Sequence, residues 1–67
     1  MSKQRFLQEH NRLAPVNLQV STAMLSRFRV EKSSLFKGND WPIEKLRRPL
    51  LLWLTSLSAL ERENMSL

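Results

Sequence analysis

The sequence has no cysteine and no tyrosine, and only one histidine, one glycine and one aspartate. Without cysteine no disulfide can form, and the lone His10 disfavours a histidine-based metal site. A single glycine excludes a glycine-rich phosphate loop, and the serines form no nucleophile elbow. We therefore predict that the chain is not an enzyme and uses no metal or other cofactor. The absence of cysteine also fits the reducing cytoplasm, where we expect the protein to act.

A chain of 67 residues is long enough for one small domain only. A domain of this size buries about 60% of its unfolded surface, so small folds are usually reinforced by disulfides, metals or partners. Because the first two are disfavoured, we expect a homodimer or a chain bound to another protein. The apolar run over residues 50–60 is too short for a membrane-spanning helix, which needs roughly 20 residues.

Basic residues are concentrated in the first part of the chain. Residues 1–48 contain ten Lys and Arg and four Asp and Glu, which gives a net charge of +6. Residues 49–67 contain one basic residue and two acidic residues, which gives a net charge of −1. A basic region of this kind suits a polyanion, nucleic acid first and an anionic membrane second. The alternative is a solvated surface that keeps a small protein soluble.

Proline divides the chain into two parts. Residues 1–14 are polar and basic, and Pro15 disfavours a helical conformation at the residue before it. We predict a basic N-terminal arm over residues 1–14, either flexible or forming a short helix. A small helical domain is expected to follow over residues 15–67.

The segment Val16–Ser21 alternates apolar and polar residues, which is typical of a half-buried strand. Ser21 or Thr22 can cap the helix that follows. The apolar residues of that helix are Met24, Leu25 and Phe28. Residues 27–36 also fit a second strand, and the serine pair at 33–34 could break either element.

Gly38, the only glycine, predicts a turn, because glycine tolerates the left-handed conformation that turns and helix ends require. Asp40 is then predicted to cap a short helix over residues 41–48. Pro49 either kinks that helix or begins a new, leucine-rich helix over residues 49–63.

The leucine-rich helix has an apolar surface wider than a lone surface helix needs. We predict that it packs against a second copy or a larger protein, with tryptophan as the natural anchor. The residues assigned to this interface are Trp41, Leu50, Trp53, Leu54, Leu57 and Leu60. The alternative is that these residues form the core of the chain itself.

The order of arm, alternating strand, helix, glycine turn and helix resembles the ribbon-helix-helix family of DNA-binding proteins, over roughly Pro15 to Leu60. The resemblance implies a mainly α, small single domain with one short N-terminal β-strand followed by helices. In that family the strands of two copies pair into a ribbon that enters the major groove. The outward strand residues, which would read base edges, are Asn17, Gln19 and Ser21. The inward strand residues, which would face the dimer core, are Val16, Leu18 and Val20.

These features predict a small basic regulator of transcription, or an accessory protein, that binds DNA as a homodimer. The basic residues assigned to the DNA backbone are Arg27, Arg29, Lys32, Lys37, Arg47 and Arg48. The alternative is an adaptor, inhibitor or subunit that docks its leucine-rich helix on a larger protein.

Overall fold

The described part of the chain folds as four α-helices. The computed structural model describes the backbone of residues 1–66 and the side chains of residues 1–65. The helices are α1 (Lys3–Leu13), α2 (Thr22–Glu31), α3 (Ile43–Ser56) and α4 (Ala59–Ser66), and 3₁₀ turns occur at Val16–Leu18 and Ser33–Leu35. The radius of gyration is 11.1 Å, close to the value of about 11 Å expected for a folded chain of this length.

The segment Val16–Ser21 is not a strand, and residues 1–66 contain none. Pro15 begins a 3₁₀ turn in which the Leu18 N–H donates to the Pro15 carbonyl at 2.8 Å. The Asn11 side chain then bonds both backbone groups of Val20, at 2.9 and 2.8 Å. These contacts satisfy within one chain the groups that a second strand would otherwise pair. The predicted N-terminal strand is therefore wrong, and with it the ribbon-helix-helix architecture.

Helix α1 occupies the segment for which an arm or a short helix was predicted. The Ser2 hydroxyl caps α1 by accepting a hydrogen bond from the Arg5 N–H at 3.2 Å. Phe6 and His10, which are one turn apart, are both buried. Nε2 of His10 lies 2.9 Å from the Leu18 carbonyl oxygen, and because a carbonyl can only accept, Nε2 is the donor. The burial of Phe6 makes α1 part of the core.

Of the two predicted caps, Ser21 is the one that begins α2, since its hydroxyl accepts a hydrogen bond from the Met24 N–H at 3.2 Å. The three predicted apolar residues, Met24, Leu25 and Phe28, are all buried. The helix ends at Glu31, and the serine pair at 33–34 lies in the following 3₁₀ turn. Residues 27–36 are therefore helical in their first half and contain no strand.

The predicted turn is confirmed at Gly38, whose φ is 59°. Asp40 does not cap a helix. Its carboxylate instead accepts a hydrogen bond from the N-terminal amine of Met1 at 2.7 Å. The Met1 carbonyl in turn accepts one from the Trp41 N–H at 2.9 Å. The first residue of the chain is thus held against the segment that leads into α3, which begins at Ile43 without a side-chain cap.

The leucine-rich segment forms two helices instead of one. Helix α3 continues through Pro49 and stops before Leu57, whose backbone is extended with φ −81° and ψ 141°. Ser58 and Glu61 then form a capping box that starts α4. The Ser58 hydroxyl accepts from the Glu61 N–H at 3.1 Å, and the Glu61 carboxylate accepts from the Ser58 N–H at 3.2 Å. The observed helices differ from the predicted helix over 49–63 at both ends.

Pro49 is expected to weaken α3, because it lacks the N–H that would donate to the Lys45 carbonyl one turn earlier. Proline inside a helix lowers stability by about 3 kcal/mol relative to alanine. The ring of Pro49 is half-buried, and its packing offsets part of this loss of stability. Pro49→Ala should therefore raise the free energy of unfolding by about 1–3 kcal/mol, measured by urea denaturation. Pro42→Ala, at the N-cap of α3, serves as the control and should change little. A loss of stability in Pro49→Ala would contradict this account.

The core consists of side chains from α1, α2, α3 and the two segments that connect these helices. Its buried hydrophobic residues are Phe6, Val20, Met24, Leu25, Phe28, Phe36, Trp41, Leu46, Leu50, Trp53 and Leu54. All five aromatic rings of the sequence are among them. They form one continuous row, Phe6–Trp41–Phe36–Phe28–Trp53, with neighbouring centroids 4.7–5.9 Å apart. No aromatic ring is left on the surface of the described residues.

Candidate nucleic-acid interface

The exposed side of α3 carries three cations near its start. Lys45, Arg47 and Arg48 are all exposed and line one shallow surface groove, and we refer to these three residues as the basic face. The opposite side of α3 presents Leu46 and Leu50, which are fully buried. Because the buried leucines fix the rotation of the helix about its axis, the three cations are held toward solvent.

The basic face has no internal partner. None of its three side chains takes part in an ion pair or a side-chain hydrogen bond with any described residue. Glu44 is the one acidic residue that lines the same groove. The face therefore keeps its charge available for an external anion.

Three acidic side chains elsewhere, those of Glu9, Glu31 and Asp40, are each paired with a nearby cation. Arg12 donates to Glu9 at 2.9 Å, and this hydrogen bond lowers the pKa of the Glu9 carboxyl. Arg27 donates a hydrogen bond to Glu31, also at 2.9 Å, and this bond lowers the pKa of the Glu31 carboxyl. The N-terminal amine lowers the pKa of Asp40 in the same way. These carboxylates stay ionised and paired at neutral pH, so none of them neutralises the basic face.

Several residues predicted to bind nucleic acid make contacts within the chain. The Gln19 amide donates to the carbonyls of Asn11 and Ala14 at 3.1 and 3.3 Å. The Arg29 guanidinium lies 4.6 Å from the centre of the Phe36 ring and also donates to the Gly38 carbonyl. Ser21 and Arg27 are the helix cap and the partner of Glu31 already described. The predicted residues that are exposed and whose side chains form no hydrogen bond or ion pair with the described residues are Asn17, Lys32, Lys37, Arg47 and Arg48.

The predicted interface residues fall into three groups. Those buried in the core of the single chain are Val20, Trp41, Leu50, Trp53 and Leu54. Leu18 and Leu57 are half-buried against that core. Val16 and Leu60 are exposed, at 85% and 68% of their full surface. Only the last two present most of their surface to a partner.

Three residues with a part in the site or its support were missed. Lys45 precedes Arg48 by three positions, a helical spacing that could have marked it as a member of the basic face. Asn11, which binds Val20, gives no signal in the sequence. Arg62 donates to the carbonyls of Asn17 and Leu54 at 2.7 and 3.3 Å and holds α4 to the rest of the fold. A long-range contact of this kind cannot be read from spacing.

Comparisons with known proteins return no relative: no family model, curated protein or solved structure shows significant similarity to this chain. Within residues 1–66 no helix is both long and apolar enough to cross a membrane. The described side chains also include no group of three or more His, Asp or Glu placed to hold a metal ion.

Proposed function

We propose that the protein is a DNA-binding accessory protein that contacts the phosphates of a duplex through its basic face. The observation that carries the proposal is the placement of Lys45, Arg47 and Arg48 on one exposed side of α3 without internal partners. Lysine and arginine that neutralise phosphates release condensed counterions, and this release supplies most of the affinity of non-specific binding. A formal net charge of +5 favours the encounter.

Duplex backbone is the form of nucleic acid that the surface fits best. Single-strand binders stack bases on exposed aromatic rings, and here all five rings lie in the core. Base reading needs side chains that an element inserted into a groove directs at the base edges. Residues 1–66 contain no strand that could carry Asn17 and Gln19 there, and the Gln19 amide is occupied within the chain. Contacts to phosphates position a protein without reading sequence. We therefore expect binding with little sequence preference.

Mapping by nuclear magnetic resonance tests where the duplex binds. The backbone amides of residues 44–52 should show the largest chemical-shift changes when a short duplex of random sequence is added at low salt. Exposed residues of α1, such as Arg5 and Gln8, serve as the internal reference and should change little. Shifts that are largest on α1 or α2, or a spectrum that the duplex leaves unchanged, would contradict the proposal.

A further inference from the structure

A second surface groove lies between the 3₁₀ turn Ser33–Leu35 and α3. Its volume is about 590 Å³, within the range of about 300–1,000 Å³ typical of binding pockets. Its apolar lining comes from four residues, Leu35, Pro49, Leu52 and Trp53. Leu52 is a large apolar residue of α3, yet 65% of its surface is exposed. The core of the chain does not cover it.

Two cations flank this apolar groove. Lys32 lines it on the side of the 3₁₀ turn and Arg48 on the side of α3. Both are exposed and neither forms an ion pair or a side-chain hydrogen bond with any described residue. Arg48 and Leu52 are four residues apart and therefore neighbours on one side of α3. The lining of the groove thus combines four apolar side chains with two unpaired cations.

Helix α4 has the complementary pattern. Leu60 is 68% exposed, and the acidic residues Glu61 and Glu63 lie on either side of it on the helix surface. Arg62 points inward, toward the carbonyls of Asn17 and Leu54, so the cation of α4 is directed away from this surface. An exposed leucine flanked by carboxylates is complementary, in apolar character and in charge, to a groove that holds an exposed leucine and two cations.

We propose that α4 of a second copy of the chain docks in this groove, with Leu60 of each copy against Leu52 of the other. The two sites are related by a two-fold axis, so each copy supplies one groove and one helix. This arrangement is an amphipathic helix in an apolar groove, with the charge complementarity provided by the chain itself. Arg48 belongs both to this groove and to the basic face, so a duplex and the second copy compete for it.

Leu52 and Leu60 permit a test by mixing variants, because both side chains are largely exposed and their replacement leaves the core intact. In the absence of nucleic acid, sedimentation velocity should detect a dimer that forms as the protein concentration rises. Leu52→Glu alters both grooves of a dimer and Leu60→Lys alters both docking helices. The dissociation constant of each variant alone should be at least about a hundredfold higher than that of the unaltered protein, because both sites of the dimer lose a buried leucine and each loss contributes about tenfold or more.

An equimolar mixture of the two variants distinguishes specific docking from general damage. In the mixed dimer one site is unaltered and the other places Glu at 52 against Lys at 60, so dimerisation should recover. Val30→Glu, at a position that is 77% exposed on α2, is the control and should dimerise like the unaltered protein. The proposal is overturned by a chain that stays monomeric at high concentration. It is equally overturned by a dimer that tolerates both substitutions, or by variants that fail to recover when mixed.

Discussion

Replacing Phe28 with alanine is expected to remove a large part of the free energy of unfolding of the chain. Phe28 is fully buried, and its ring centroid lies 5.9 Å from that of Phe36 and 5.4 Å from that of Trp53. Removing a buried phenylalanine costs about 3–5 kcal/mol. A chain of 67 residues has a total stability of about 3–10 kcal/mol, at roughly 0.05–0.15 kcal/mol per residue. The loss is therefore a large part of the whole.

Thermal unfolding followed by far-UV circular dichroism measures this effect. Val30→Ala is the matched control, since Val30 lies two residues further along α2 and is 77% exposed. The control should change the free energy of unfolding by no more than about 0.5 kcal/mol. If Phe28→Ala kept the stability of the unaltered protein, the row of aromatic rings would not be the centre of the core.

Replacing Arg47 and Arg48 together with glutamine is expected to weaken duplex binding by about a hundredfold at low salt. A hydrogen bond to a charged group contributes about 1.5–3 kcal/mol, and each 1.4 kcal/mol corresponds to about a tenfold change in affinity. Both side chains are exposed, so the fold should be retained. Fluorescence anisotropy of a labelled random-sequence duplex measures the change.

The matched control for this pair is the double substitution Arg5→Gln and Arg12→Gln. It removes the same amount of charge from exposed positions of α1, and Arg12 is already paired with Glu9. Binding should fall by no more than a few-fold, through the reduced net charge alone. If both double variants lost the same affinity for the duplex, binding would depend on the overall charge of the protein and not on the basic face.

Local features of the sequence predicted much of α2 and the turn after it. Ser21 as the cap, the buried positions Met24, Leu25 and Phe28, and the left-handed Gly38 all follow from short-range preferences. The alternation over 16–21 led to the wrong element because its backbone groups are satisfied by Asn11 and by a 3₁₀ turn. A side chain from another helix can replace a neighbouring strand, and alternation alone cannot reveal it.

The end of the leucine-rich segment was misread for a different reason. The pattern Ser58-x-x-Glu61 is a capping box that was present in the sequence, but it lay inside an apolar run that was read as one helix. Asp40 was predicted to cap a helix. Its carboxylate forms an ion pair with the N-terminal amine instead. Its partner is far away in the sequence, so no local rule could have identified it.

The candidate site was predictable in part. Arg47 and Arg48 were assigned to the DNA backbone from charge alone, and the structure places both on the exposed side of α3. Arg29 carried the same charge in the sequence, yet it lies over the Phe36 ring and donates to the Gly38 carbonyl. Which cations are free depends on tertiary contacts, and composition does not contain that information.

The salt dependence of duplex binding is the most direct test of the role proposed for the basic face. With Lys45, Arg47 and Arg48 each neutralising one phosphate, the logarithm of the association constant should fall with the logarithm of salt concentration with a slope of about −3. The Arg47→Gln, Arg48→Gln double variant should reduce the magnitude of that slope by about 2. No binding at the lowest salt, or a slope that the double variant leaves unchanged, would contradict the account.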